Sequence, residues 1–231
     1  MRESIVTIPL TEVLEPRDGC PICRLRDMLE GRIVEYITGA AMMEPDIRIR
    51  TNKEGFCLTH YRAMLARRNR LGVALMLQSH LDEVEKQLFG GLPLVGRSAK
   101  KAARGAEKQE QSCFVCREVD EAMVRLLDNL CAQWEEQADF RRLWEDQPLL
   151  CLPHLAQVCA AAERCLPRDG RAAFEKTSRD LAKKALEGLQ QDVEHFCRMF
   201  DYRNSGGEGA DWGNARDAIE RSVAFLTGRE L

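Results

Sequence analysis

Aromatic residues are scarce in this chain, 6% of 231 residues, and they are not interleaved with its basic residues as they would be in a stacking surface for nucleic acid bases. Long apolar runs are missing too. No stretch approaches the ~20 residues of a membrane helix, and "MRESIVTIPLTEVLEP" at the start reaches Glu12 and Glu15 before any run of signal-peptide length. A cytoplasmic protein without a membrane partner is the expectation. Charge of either sign is not in excess: the formal net charge is −3 and the pI about 5.9, so the global balance does not call for nucleic acid or an anionic membrane. There is no glycine-rich phosphate loop, GxSxG elbow or HExxH, which removes the commonest enzyme signatures. No βαβ pattern accompanies the CxxC pairs, as a thioredoxin-like dithiol would require.

What remains is ordinary for a globular protein, 45% hydrophobic and 31% charged, and long enough to bury roughly 70 to 75% of its unfolded surface. Ten cysteines are the exception. In a reducing compartment such usage points to metal or redox chemistry rather than disulfides. "CPIC" at 20–23 and "CLTH" at 57–60 recur as "CFVC" at 113–116 and "CLPH" at 151–154. The offset is 93 residues for the first pair and 94 for the second, the mark of a duplicated unit with one inserted residue.

Each unit reads as helical. Leu25, Met28, Leu29, Ile33, Tyr36 and Ile37 recur at intervals of three and four after the first CxxC, as Val119, Met123, Leu126, Leu127 and Leu130 do after the second. Pro45 is expected to stop the first helix, leaving "DIRIRTNKEG" as a turn-rich connection with room for a short extended piece. The CxxH opens a second helical stretch in both repeats, interrupted near Arg70–Gly72 in one and at "LPRDG" in the other. The expected class is all-α: pseudo-duplicated helical repeats, each pinned by a Cys3His metal site, plus a short C-terminal helix. Its divisions are 1–91, a linker at 92–112, a second repeat at 113–203, and a hinge with a docking helix at 204–231. Asn214 would cap that helix, with Ile219, Val223 and Leu226 as its apolar edge.

A CxxC brings two thiolates to one ion and a CxxH supplies two more donors, the tetrahedral set that zinc prefers. Paired by repeat, the candidate sites are Cys20, Cys23, Cys57 and His60, and Cys113, Cys116, Cys151 and His154, two zinc per chain. Pro21 and Pro153 fit first helical turns, whose partly positive ends favour thiolates. Each filled site would carry −1, which Arg24, Arg62, Arg117 and Arg141 could offset. An iron-sulfur cluster is the alternative cofactor. Cys131, Cys159, Cys165 and Cys197 have no counterparts and read as buried small hydrophobes. His80 and His195 lie at unequal distances from their CxxH and read as ordinary histidines.

From Pro45 to Arg70, seven basic residues face two acidic ones, a local charge of +5. Within this stretch Arg48, Arg50, Arg68 and Arg70 are candidates for an anion, a phosphate or an RNA backbone; a solvated face that offsets the thiolates is the plainer reading. A closed four-ligand shell argues for structural metal, and so for a binding or interaction module with an unidentified protein or anionic partner. The rivals are an enzyme or small-anion-binding protein using residues 44–70, and a redox or metal sensor.

The stretches "CPICRL", "GAAMMEPDIRIRTNKEGFCLTHY", "NRLGVALMLQSHL" and "FDYRN…WGNARDAIERSV" resemble an uncharacterised bacterial family classed as a domain of unknown function. The resemblance runs over nearly the whole chain. It implies a bacterial cytosolic protein and brings no activity with it.

Overall fold

The computed structural model describes residues 8–90, 97–200 and 211–229, and every regular element among them is helical. In order these are α1 (Ile8–Leu14), α2 (Pro21–Thr38), a 3-10 turn at Ala40–Met43, α3 (Pro45–Glu54), α4 (Leu58–Ala66), α5 (Arg70–Phe89) and α6 (Arg97–Glu110). There follow α7 (Phe114–Glu136), α8 (Ala138–Glu145), α9 (Leu152–Cys165), α10 (Arg168–Met199), a second 3-10 turn at Gly213–Ala215, and α11 (Ala218–Thr227). The all-α expectation and the short terminal helix are both met.

Two elements differ from the sequence reading. Pro45 does not end a helix but begins one. It stands at the first position of α3, where its missing N–H costs nothing, with Asp46 in the first turn and Lys53 in the last to suit the helix dipole. The charge-rich segment after residue 96, expected as an exposed linker with part of a helix near Ala102, is helical over 14 residues as α6 and packs along α5; residues 91–96 and most of the expected hinge, 201–210, lie outside the described residues.

The chain divides into two compact units, and they do not follow the repeat boundaries. One is nested, residues 27–122; the other is split, joining the segment up to Arg26 to the segment from Met123 onward. The divisions fall inside α2 and inside α7, so each of these helices begins in one unit and continues into the other.

In the nested unit α3, α4 and α6 pack on α5, and Val34, Ile37, Met64, Val73, Met76, Phe114 and Val119 are buried. The break between α4 and α5 is built by Asn69, whose side chain accepts from the Gly72 N–H at 3.0 Å and donates to the Thr38 carbonyl at 2.7 Å. The Glu54 carboxylate takes two hydrogen bonds from Arg117, at 2.7 and 3.0 Å, and its carbonyl accepts from Ser112 and Gln109. These contacts hold the end of α3 against the start of α7. Between them Gly55 turns the chain at φ 63 and ψ −158, a conformation essentially reserved for glycine, and accepts the Phe114 N–H at 3.0 Å.

The split unit packs α8, α9 and α11 on α10. Phe174 lies between two tryptophans, edge-on to Trp134 at 5.2 Å and stacked on Trp144 at 5.6 Å, and the Trp144 indole donates to the buried Ser178 hydroxyl at 3.2 Å. Arg24, at the start of α2, donates to the carbonyls of Val13 and Pro16 and so holds the segment after α1. On α11 the buried edge is Ala218 and Phe225, while Ile219 and Leu226 are exposed, a rotation of about one residue from the expected edge. Its N-cap is Asp217 rather than Asn214, because the 3-10 turn delays the helix by three residues.

Candidate metal centres

All four half-motifs are built alike. Cys20, Cys57, Cys113 and Cys151 each stand immediately before the first residue of a helix, α2, α4, α7 and α9 respectively, and Cys23, His60, Cys116 and His154 sit three positions further on. The carbonyl of each leading cysteine accepts the first helical hydrogen bond, from Arg24, Tyr61, Arg117 and Leu155, at 3.3, 2.9, 3.1 and 2.9 Å. This is N-cap geometry with a thiol where serine or aspartate is usual, and the Cys116 N–H points at the Cys113 sulfur from 3.5 Å. Cap and third position share a face over the open end of the helix, so the two donors converge where the N–H groups concentrate partial positive charge.

The half-motifs meet across the repeats, not within them. Cys20 and Cys23 are grouped with Cys151 and His154; Cys57 and His60 are grouped with Cys113 and Cys116; the ligand atoms of each group lie within 4.8 Å of one another. The pairing expected from the sequence, first CxxC with first CxxH, is corrected by this arrangement. Each complete Cys3His set falls inside one compact unit, the first in the split unit and the second in the nested one.

Spacing within the sets suits one tetrahedral ion. Zn–S near ~2.3 Å and Zn–N near ~2.0 Å imply S···S edges of about 3.8 Å and S···N edges of about 3.5 Å. In the split unit, the Cys23 and Cys151 sulfurs are 3.7 Å apart, and Nδ1 of His154 lies 3.6, 3.3 and 3.0 Å from Cys20, Cys23 and Cys151. In the nested unit, the Cys57 and Cys116 sulfurs are 3.9 Å apart, and Nδ1 of His60 lies 3.2, 3.2 and 3.5 Å from Cys57, Cys113 and Cys116. Both histidines therefore turn Nδ1 inward. All ten cysteines are free.

Three thiols this close cannot all ionise unaided. Hydrogen bonding with Cys151 holds the Cys20 thiol far below its ordinary range and raises Cys23, while contact with Cys20 pushes Cys151 up to about 12. In the nested set burial opposes charge on both Cys113 and His60. Their mutual hydrogen bond outweighs it, lowering Cys113 to about 6 and, with Glu30, raising His60 to about 10; burial pushes Cys116 up to about 12. A divalent cation at the centre would remove this conflict by favouring every thiolate at once.

Sequence reasoning missed two neighbours of these sets. Gly228, which ends α11 at φ 69, lies so near that a Cβ there would stand 3.4 Å from Pro153 and 3.5 Å from the Cys151 sulfur, and its carbonyl is 3.5 Å from the Cys23 sulfur. Glu30, one turn into the nested portion of α2, brings a carboxylate oxygen to 3.8 Å from Nε2 of His60. Neither has a signal in the motif pattern.

The expected anion-binding arginines have divergent settings. Arg48 donates to the Leu75 carbonyl at 2.7 Å and the Ser79 hydroxyl at 2.5 Å; Arg50 pairs with Glu118 and lies over the Phe114 ring at 5.0 Å. Arg68, with φ 59, and Arg70 are exposed at the turn between α4 and α5. Of the arginines expected to offset the thiolates, Arg24 and Arg141 bond backbone carbonyls, Arg117 pairs with Glu54, Glu118 and Glu121, and Arg62 is exposed. Cys131 is buried as expected and its thiol is pushed up to about 12 by burial, but Cys159 is half-buried and Cys165 and Cys197 are exposed. His80 lies 2.7 Å from the Asn52 carbonyl and His195 2.9 Å from that of Asp211.

A family model matches residues 1–231. The chain belongs to DUF6062, a family of unknown function. No curated protein and no solved structure matches it. Among the described residues of this DUF6062 member, no helix is long and apolar enough to cross a membrane.

Proposed function

We propose that this DUF6062 protein is a two-zinc binding module of the bacterial cytoplasm, in which each ion fastens two helix ends. The supporting observation is the pair of Cys3His sets, each supplied from the capped ends of two helices at tetrahedral spacing. Four protein donors fill a zinc coordination shell and leave no open position for water or substrate, so the ions act structurally and function lies in what the units bind. Free thiols throughout suit a reducing compartment, and the bacterial assignment follows the sequence resemblance.

Spacing also bears on the choice of metal. In an iron-sulfur cluster the four protein ligands are divided among two or more irons, and those on different irons stand apart by the width of the cluster, whereas donors all within 4.8 Å suit a single ion. The test is elemental analysis of anaerobically purified protein, with an absorption spectrum. Two zinc per chain and no visible band is the expected result. Iron with visible absorption refutes it.

A further inference from the structure

His60 is buried to 3% exposure, and its outer nitrogen, Nε2, is buried without a hydrogen-bond partner. With Nδ1 turned toward three sulfurs, Nε2 must carry the proton, so a buried donor faces outward from the nested cage. His60 lines a cavity of about 200 Å³ whose walls include Asp27, Glu30 and Gly31 from α2 and Thr59 and Arg67 from α4 and its end. The Glu30 carboxylate, its side chain 22% exposed, stands 3.8 Å away, about 0.6 Å beyond the ~3.2 Å limit of an N–H···O hydrogen bond. Glu30 and His60 line the same cavity.

We infer that Glu30 is the positioning residue of the nested metal centre: its carboxylate accepts the Nε2–H of His60 and holds the imidazole with Nδ1 aimed at the ion. The inference rests on the metal reading given above. A carboxylate in this place fixes the tautomer, limits rotation of the ring and makes Nδ1 a stronger donor. Among the described residues His60 is the only histidine with a buried nitrogen that has no hydrogen-bond partner, so the effect belongs to one of the two centres.

The test is zinc transfer from the full-length protein to a chromophoric chelator, for the parent, Glu30→Gln and Glu30→Ala. One of the two zinc ions should leave faster, about 10- to 100-fold in Glu30→Ala and less in Glu30→Gln, whose amide oxygen still accepts the hydrogen bond. Adding Cys57→Ser, which removes the nested centre, should abolish the difference between Glu30 and its variants. The cobalt-substituted protein supplies a readout that mere packing would not move: the visible ligand-field bands of one ion shift in Glu30→Gln while the thermal midpoint stays at the parent value. Full zinc loading with unchanged release rates and unchanged cobalt bands overturns the inference alone. A parent protein that holds no metal overturns the metal reading and the inference together.

Discussion

The crossed pairing can be separated from pairing within repeats by two double variants that differ only in which cysteine accompanies Cys20→Ser. Under the observed arrangement Cys20 and Cys151 share a cage, while Cys20 and Cys57 do not. Cys20→Ser with Cys151→Ser then damages one centre and leaves one zinc; Cys20→Ser with Cys57→Ser damages both and leaves none. Pairing within repeats reverses the two outcomes. The effect is large enough to read as stoichiometry. A filled site carries two thiolate charges in the variant instead of three and has three strong donors rather than four, while structural zinc sites bind with about 10–16 kcal/mol at neutral pH. At free zinc 100-fold above Kd, each centre adds about 2.7 kcal/mol to its unit. Two losses in one cage should be strongly non-additive, since the second variant has little left to remove, whereas losses in different cages should add. Elemental analysis after dialysis against a weak chelator, beside a denaturant titration of each variant, measures both. One zinc retained by the Cys20/Cys57 pair, with none in the Cys20/Cys151 pair, would refute the crossed assignment.

Gly55→Ala places a Cβ 2.7 Å from the His80 ring and 2.5 Å from the Gln109 amide at a glycine-only conformation; a loss of about 1–3 kcal/mol is expected in chemical denaturation, with faster zinc release from the nested centre only. Gly228→Ala, at φ 69 against the Cys151 sulfur, should cost about 1–2 kcal/mol and speed release from the other centre, read with the same chelator. Trp144→Phe leaves the buried Ser178 hydroxyl without its donor and should lower stability by about 1–3 kcal/mol at unchanged zinc content. For pH the sign follows from the protons that metal displaces. Cys116 and Cys151, each raised to about 12, are protonated at neutral pH, so affinity falls about tenfold per pH unit for each displaced proton on going from pH 8 to 6. A pH-independent affinity measured by chelator competition would contradict that.

Much of this was legible in the residues because duplication and helical spacing are local signals. The three- and four-residue intervals of Leu25 to Ile37 and of Val119 to Leu130 mark α2 and α7, and the repeated CxxC and CxxH name the eight residues that gather in the two clusters. Which CxxC meets which CxxH is a different kind of question. Either choice completes the same set of donors twice, and the preference for the nearer partner is weak. Cys23 lies 34 residues from Cys57 and 128 from Cys151, slightly under two doublings of loop length, or about 1.2 kcal/mol of closure entropy. That is small beside the energy of a filled site. Pro45 misled for a related reason: the same residue stops a helix from inside and starts one from its first position, and only the caps at Glu44 and Gly55 decide which. Glu30 and Gly228 reach the cages through the fold, so no interval in the chain marks them.

A discontinuous unit has an order of assembly written into its synthesis. Every donor of the nested cage has been made once Cys116 is added, but the split cage, begun at Cys20, waits for His154. At ~5–20 residues per second that is roughly two to eight seconds during which one ion can be captured while the first CxxC has no completing partner. During that interval the CxxH at 57–60 is the rival claimant for Cys20 and Cys23. On the two-zinc reading proposed above, early closure of the nested cage would remove it from competition, so that the first ion would guide the second to its proper ligands.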